Sequence, residues 1–167
     1  MTTLLALDAS TTAVGWCLSK DGRYLDSGVY VPDGKDWVTR ILVIEDWLYA
    51  FDWQAVRPDT IAFEVATGNR GNMATHRKLG AVEYAIRSIA IIEYQADVIA
   101  VSASQVRASG CHKHALPVAL AIVRELPARP DRSLSPGHED DEADAIGCYL
   151  AAWSILAKAG MKQEVMT

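Results

Sequence analysis

The amino-acid sequence predicts an α/β fold in which a mixed five-stranded sheet is flanked by helices on both faces. Three β-type runs come first and are followed by alternating strand and helix patterns. This order is expected of three antiparallel strands joined to parallel ones. Strands that are buried on both faces should be continuously apolar, and this holds for LLAL (4–7), TIAF (60–63) and VIAV (98–101).

Five short runs of apolar or β-branched residues are the predicted strands. They span Thr3 to Asp8, Gly15 to Ser19, Tyr24 to Val31, Asp59 to Glu64 and Asp97 to Val101. The turn-prone dipeptide Asp21-Gly22 separates the second run from the third, which predicts a hairpin.

Four helices are predicted from apolar spacing and turn signals. The first has an apolar residue every three or four positions, at Trp37, Ile41, Ile44, Leu48 and Phe51, and it ends before Pro58. The others span about Asn72 to Tyr94, His114 to Leu126 and Glu139 to Lys158. Residues 127–137 contain three prolines and a glycine, which indicates a loop before the last helix.

Length and composition predict one domain spanning residues 1–167. The net charge of −5 argues against a nucleic-acid partner unless basic and acidic residues occupy different places. Cys17, Cys111 and Cys148 are far apart and lack metal-binding spacing, which suits a reducing cytoplasm. We expect no signal peptide and no membrane span, since charged residues interrupt the longest apolar stretch, Ala85 to Val101.

Acidic residues occur where three predicted elements begin or end. Asp8 ends the first strand, Glu64 ends the fourth, and HEDDEADAIG (138–147) opens the last helix with five acids in six positions. Within that cluster, Asp141 and Asp144 are three residues apart and Asp140 and Asp144 are four apart. Either pair can share a helical face. If the three elements are neighbours, their carboxylates converge.

Converging carboxylates repel one another unless a cation lies between them. Mg²⁺ and Mn²⁺ prefer oxygen ligands, and two such ions would stabilise an in-line displacement at phosphorus. This pattern predicts a phosphodiesterase. Acids in a first helical turn also oppose the helix dipole, which accounts for Glu139, Asp140 and Glu142 without any catalytic role.

Three blocks of the sequence resemble the RuvC Holliday junction resolvases of the ribonuclease H-like superfamily. They are LALDASTTAVGWCL, IAFEVATGNRGNMATHRKLGAVEYAI and EDDEADAIGCYLAAW. The resemblance covers nearly the whole chain and is to a short, bacteriophage-type member. It implies a ribonuclease H-like fold and a homodimer, in the host cytoplasm if phage-encoded, that nicks two strands of a four-way junction symmetrically. The product ends would be 5′-phosphate and 3′-hydroxyl.

The resemblance also implies roles for individual residues. Asp8 would bridge two metal ions, Glu64 would hold one and orient the attacking water, and Asp141 and Asp144 would complete the set, with Asp140 as a substitute for Asp141. Basic residues suited to DNA phosphates follow Glu64 or precede the third predicted helix: Arg70, Arg77, Lys78, Arg107 and Lys113. The family's aromatic wedge after the glutamate is absent from VATGNRGNM, where Met73 is either an apolar wedge or part of helix packing.

Other functions fit parts of the same pattern. LALDASTTAVG also resembles the phosphate-binding turn of actin-like ATPases and sugar kinases, which need two such domains. A ribonuclease H or flap nuclease would keep the metal chemistry and change the substrate. A non-catalytic DNA-binding relative is disfavoured, because all four acidic positions are filled.

Overall fold

The computed structural model describes residues 1–50, 57–65, 73–110 and 138–164. Its sheet has five strands in the order β3-β2-β1-β4-β5. The strands are β1 (Thr3–Ala9), β2 (Val14–Lys20), β3 (Arg23–Tyr30), β4 (Thr60–Val65) and β5 (Asp97–Ser102). The first three pair antiparallel, whereas β4 runs parallel to both β1 and β5. The predicted mixed sheet is confirmed, with strand ends that differ by a residue or so.

The hairpin between β2 and β3 turns at Asp21-Gly22, as predicted. Both residues have positive φ, 50° and 76°, which is the backbone of a two-residue turn matched to the twist of the flanking strands. Gly22 is free of steric cost in this conformation because it has no Cβ. The turn also receives a hydrogen bond, from Thr2 N–H to the Asp21 carboxylate at 2.8 Å.

Four helices lie in the described part of the chain: α1 (Trp37–Ala50), α2 (Met73–Ile89), α3 (Ala103–Ala108) and α4 (Glu139–Glu164). The predicted helix from His114 to Leu126 and the loop at 127–137 lie outside the described residues. The final helix is longer than predicted by six residues, ending at Glu164 instead of Lys158.

Two local features were not predicted. After Ile89, α2 widens into one π-helical turn, Ala90–Tyr94, which ends at the left-handed residue Gln95. The short helix α3 follows β5 directly and is capped by Ser102 and Gln105, whose side chains each bond the other's main chain. This reciprocal cap stabilises a helix that is too short to show an apolar period.

Helices cover both faces of the sheet, as predicted. On one face, Leu4 and Ala6 of β1 pack with buried residues of α3 and α4. On the other, Leu5 and Leu7 pack with residues of α1 and α2. Successive strand residues point to opposite faces, so the continuous apolar run of β1 supplies both cores. No helix in the described ranges is long and apolar enough to cross a membrane.

Candidate active site at the carboxyl edge of the sheet

The parallel strands β1, β4 and β5 end at the same edge of the sheet, and two predicted acids lie there. The register pairs Leu7 with Phe63, so the next residues along the two strands, Asp8 and Glu64, are neighbours. Glu64 is also paired with Val101 of β5. The fold therefore brings together two carboxylates that are 56 residues apart in the sequence.

Both carboxylates point toward α4. Ala6 and Ala62, two residues before Asp8 and Glu64, belong to the core that packs against α4. Residues two apart in a strand share a face, so Asp8 and Glu64 share it as well. Both are partly exposed, as a site open to substrate requires.

Gly15 brings the first turn of α4 to the same place. It lies opposite Asp8 in the antiparallel pair of β1 and β2. A Cβ atom built on Gly15 would lie 1.9 Å from the main-chain oxygen of Asp141, so only glycine permits this approach. Opposed residues of an antiparallel pair face the same side, and α4 therefore crosses the sheet beside Asp8. The backbone therefore brings β1, β4 and the first turn of α4 to one edge of the sheet.

Cys148 confirms which face of α4 meets the strands. It follows Asp144 by four residues and Asp141 by seven, so all three lie on one side of the helix. The thiol is fully buried. Its pKa is raised by burial and then by the negative charges of Asp8 and Glu64, against a lowering hydrogen bond with the Leu7 main chain. The i+4 spacing from Asp144 was the one sequence signal that could have placed this cysteine at the site.

Asp141 is paired with a histidine one helical turn earlier in the sequence. Nδ1 of His138 and Oδ2 of Asp141 are 2.9 Å apart, and both side chains are about 30% exposed. Asp140, the alternative to Asp141, is partly exposed. Within the described residues, no three His, Cys, Asp or Glu side chains form a ready-made metal-binding group. The predicted ligands thus share one edge, but their oxygen atoms are not gathered around one point.

Of the five basic residues predicted to contact DNA, the three that the structure describes lie on helices that flank the same edge. Arg77 and Lys78 lie in the first two turns of α2, and Arg107 lies in α3, which begins directly after β5. The side chains of Arg77 and Arg107 are exposed, and that of Lys78 is half-buried. Arg70 and Lys113 lie outside the described residues. Met73, at the start of α2, is 72% exposed. This exposure argues against the interpretation of Met73 as part of helix packing.

Glu142 departs from the sequence-based interpretation. As a first-turn acid it was assigned to the helix dipole, but its side chain is only 1% exposed. It accepts a 2.6 Å hydrogen bond from the Ser27 hydroxyl of β3. The sequence around Glu142 does not distinguish it from its acidic neighbours. Glu142 differs from them in burial because its side chain meets Ser27 of β3.

Comparison with known proteins agrees with this fold. No model of a protein family matches the sequence, and no curated protein matches it either. Among solved structures, T. thermophilus RuvC in complex with a Holliday junction substrate matches with a TM-score of 0.69 and 20% identity, over 96% of this chain and 97% of that one. A second Thermus thermophilus RuvC structure matches with a TM-score of 0.66 and 19% identity, over 95% and 97% of the two chains.

A more distant match is the yeast mitochondrial Holliday junction resolvase Ydc2. Its TM-score is 0.56 at 9% identity, over 90% of this chain and 77% of that one. All three identities are low, so the agreement is one of backbone arrangement. The chain has the fold of the RuvC Holliday junction resolvases, as its three sequence blocks predicted.

Proposed function

We propose that this chain is a metal-dependent endonuclease that resolves four-way DNA junctions. The observation that carries the proposal is the strand register, which sets Asp8 beside Glu64 at the point where α4 brings Asp141 over Gly15. The similarity in fold to a RuvC bound to a Holliday junction substrate and to a mitochondrial Holliday junction resolvase supports branched DNA as the substrate.

The side chains at this edge fit Mg²⁺ or Mn²⁺ in chemical type. Carboxylate oxygens are the ligands that these hard cations prefer. We propose that Asp8, Glu64, Asp141 and Asp144 hold two ions, with Asp140 as the alternative to Asp141. To bind an ion, the Asp141 carboxylate would either keep its hydrogen bond with His138 through one oxygen or give that bond up. Bound ions would neutralise the carboxylates and stabilise the charge that develops on the phosphate during cleavage.

The reaction would be hydrolysis by in-line displacement. A water oriented by Glu64 attacks phosphorus, the bond to the 3′ oxygen breaks, and the leaving oxygen takes up a proton. The products are 5′-phosphate and 3′-hydroxyl ends. Basic side chains on α2 and α3 would hold the flanking phosphates without reading sequence; they are Arg77, Lys78 and Arg107, together with Arg70 and Lys113.

Symmetric cleavage of a four-way junction requires two identical sites. A homodimer with two-fold symmetry supplies them and matches the symmetry of the junction. We further propose that the protein acts in the cytoplasm, or in the host cytoplasm if it is phage-encoded. Its cysteines suit this compartment, since they are far apart in the sequence and lack metal-binding spacing.

Asp8→Asn tests the role of the carboxylates. The substitution removes one negative charge from the metal site and leaves the basic residues in place, so we expect cleavage of a synthetic four-way junction to fall by at least about 100-fold. Binding of the junction should change little. The measurements are a cleavage assay in Mg²⁺ and a gel-shift assay without it.

Asp46→Asn is the matched control. Asp46 is exposed on α1, which covers the opposite face of the sheet, and this variant should cleave like the wild type. Full activity of Asp8→Asn would contradict the assignment.

A substrate panel separates the nuclease classes. Four-way junction, flap, RNA–DNA hybrid and plain duplex are each incubated with the wild type in Mg²⁺ or Mn²⁺. Paired cuts in the junction alone support a resolvase. Preferential cleavage of the hybrid or the flap would replace the proposal with another nuclease of the same fold, and binding without any cleavage would indicate a non-catalytic module.

A further inference from the structure

Three polar side chains attach one face of α4 to the sheet. Glu142, Tyr149 and Trp153 are spaced by seven and four residues, which places them within about 40° of one another around the helix. Their partners all lie on β2, on β3 or in the turn between these strands. Ser27 Oγ donates to Glu142 at 2.6 Å, Tyr149 donates to the Gly22 carbonyl at 2.9 Å, and Trp153 Nε1 donates to Ser19 Oγ at 3.0 Å.

This attached face is distinct from the face that carries the proposed metal ligands. At 100° per residue, Asp141 and Asp144 are turned away from Glu142 by roughly 100° and 160°. The helix therefore bonds β2 and β3 on one side and presents Asp141 and Asp144 toward β1 and β4 on another. Its rotation about its own axis decides whether both sets of contacts are made together.

Of the three contacts, the one made by Glu142 is the one that buries a carboxylate. Its carboxylate and the Ser27 hydroxyl are both buried, at 1% and 0% exposure. Burial of a carboxylate is unfavourable unless hydrogen bonds replace the lost water. The Tyr24 hydroxyl lies 2.6 Å from Ser27 Oγ. Because Ser27 donates its one proton to Glu142, Tyr24 donates to Ser27, and a directed chain of hydrogen bonds links β3 to the first turn of α4.

We propose that Glu142 is a positioning residue for the metal site. It adjoins Asp141 and precedes Asp144 by two residues, in a terminal turn that would fray if nothing held it. The bond to Ser27 fixes the rotation of that turn, and with it the side of α4 on which Asp141 and Asp144 lie. This inference rests on the proposed function of the same site. Groups that orient metal ligands typically change metal affinity or activity by about 10–100-fold when removed.

Three variants distinguish positioning from a general loss of stability. Ser27→Ala removes the donor and should raise the half-saturating Mn²⁺ concentration by about tenfold. Glu142→Gln keeps an oxygen acceptor for Ser27, so its Mn²⁺ affinity should stay close to that of the wild type. Tyr149→Phe is the matched control, because it also removes one hydrogen bond from the attached face but lies two turns away from Asp141.

The measurements are calorimetric titration with Mn²⁺, thermal unfolding, and the Mg²⁺ dependence of junction cleavage. The proposal predicts that Ser27→Ala and Tyr149→Phe both lower Tm, whereas only Ser27→Ala weakens metal binding. It is overturned if Ser27→Ala binds Mn²⁺ like the wild type or if Tyr149→Phe weakens binding equally. Loss of binding in Glu142→Gln would also overturn it, because Glu142 would then act by its charge.

The titration keeps this inference separate from the proposed function. If the wild type binds Mn²⁺ but cleaves no branched DNA, the proposed function fails while the Mn²⁺ affinities of the variants still decide the role of Glu142. If the wild type binds no Mn²⁺ at all, both proposals are wrong. If junction cleavage succeeds and the Ser27→Ala affinity is unchanged, only the positioning role is lost.

Discussion

At Gly15 the main chain of β2 and the first turn of α4 approach so closely that no side chain fits between them. The residue opposite Gly15 is Asp8, so this contact sets how near the acidic helix comes to the first acidic strand. The same edge contains the buried thiol of Cys148, whose pKa is raised by burial and by the charges of Asp8 and Glu64. The thiol therefore stays neutral and adds no further negative charge below the carboxylates.

Gly15→Ala is expected to lower both Tm and metal affinity markedly. The added methyl group would lie 1.9 Å from the Asp141 carbonyl oxygen, so α4 must move away from the sheet. Gly80→Ala is the control, since a Cβ there has no heavy atom within 4 Å. That exposed position in α2 should gain up to about 1 kcal/mol in the free energy of unfolding. Thermal unfolding of both variants is the measurement, and an unchanged Tm for Gly15→Ala would contradict the close contact.

Helix α1 is stabilised at its start by the side chain of the residue that precedes it. Asp36 immediately precedes the helix, and its carboxylate accepts hydrogen bonds from Val38 N–H at 2.9 Å and Thr39 N–H at 3.0 Å. These are donors that a helix start cannot satisfy internally. The pKa of Asp36 is lowered, chiefly by the Thr39 main-chain bond and against a raising effect of desolvation. The Thr39 hydroxyl, the Val38 N–H and the charge of Arg40 lower this pKa further. Asp36 is thus the N-cap of α1.

Asp36→Ala should lower Tm at neutral pH, and acid should remove the difference. A folded-state pKa below the unfolded value of 3.8 means that the stabilisation is fully present above pH 3.8 and is lost as the pH falls through the lower, folded-state pKa. Thermal unfolding of the wild type and the variant from pH 7 to pH 2.5 measures this effect. Asp36→Ser keeps a capping oxygen that does not titrate, so its advantage over Asp36→Ala should persist in acid. A wild-type advantage that is independent of pH would show that the carboxylate charge plays no part.

Across the whole molecule, acidic residues outnumber basic ones and the net charge is −5. The carboxylates of Asp8, Glu64 and the first turn of α4 share one edge, whereas Arg77, Lys78 and Arg107 lie on the helices beside it. Because the acids and these bases occupy different places, the net negative charge is compatible with the proposed nucleic-acid partner. In the proposed metal site, a bound cation would relieve the mutual repulsion of these carboxylates.

Mg²⁺ should therefore stabilise the folded protein. Binding to the native state alone adds about 2.7 kcal/mol at a metal concentration 100 times the Kd, or roughly 5–10 °C in Tm for a chain of this size. The shift is measured against NaCl of equal ionic strength, and it should shrink in Asp8→Asn. No shift at saturating Mg²⁺, or an equal shift in Asp8→Asn, would count against a metal site at this edge.

Much of the fold could be predicted from the sequence because its signals are local. Short runs of apolar or β-branched residues indicated the five strands, Asp21-Gly22 indicated the hairpin, and the spacing of apolar residues indicated α1 and α2. The π-helical turn after Ile89 and the short helix α3 were missed, since neither changes the apolar period over a long enough window. Asp8 and Glu64 were recognisable as acids at strand ends because each directly follows an apolar run.

What the sequence alone determined is which elements form and which of them carry carboxylates, because both depend on residue type and short spacing. The way in which distant residues meet follows from tertiary packing. Strand register sets Asp8 beside Glu64, the contact at Gly15 admits α4, and Glu142 turns to a buried serine of β3 while Asp141 stays at the open edge. These outcomes depend on packing between residues far apart in the chain, and adjacent acids of identical local context can therefore differ completely in burial and role.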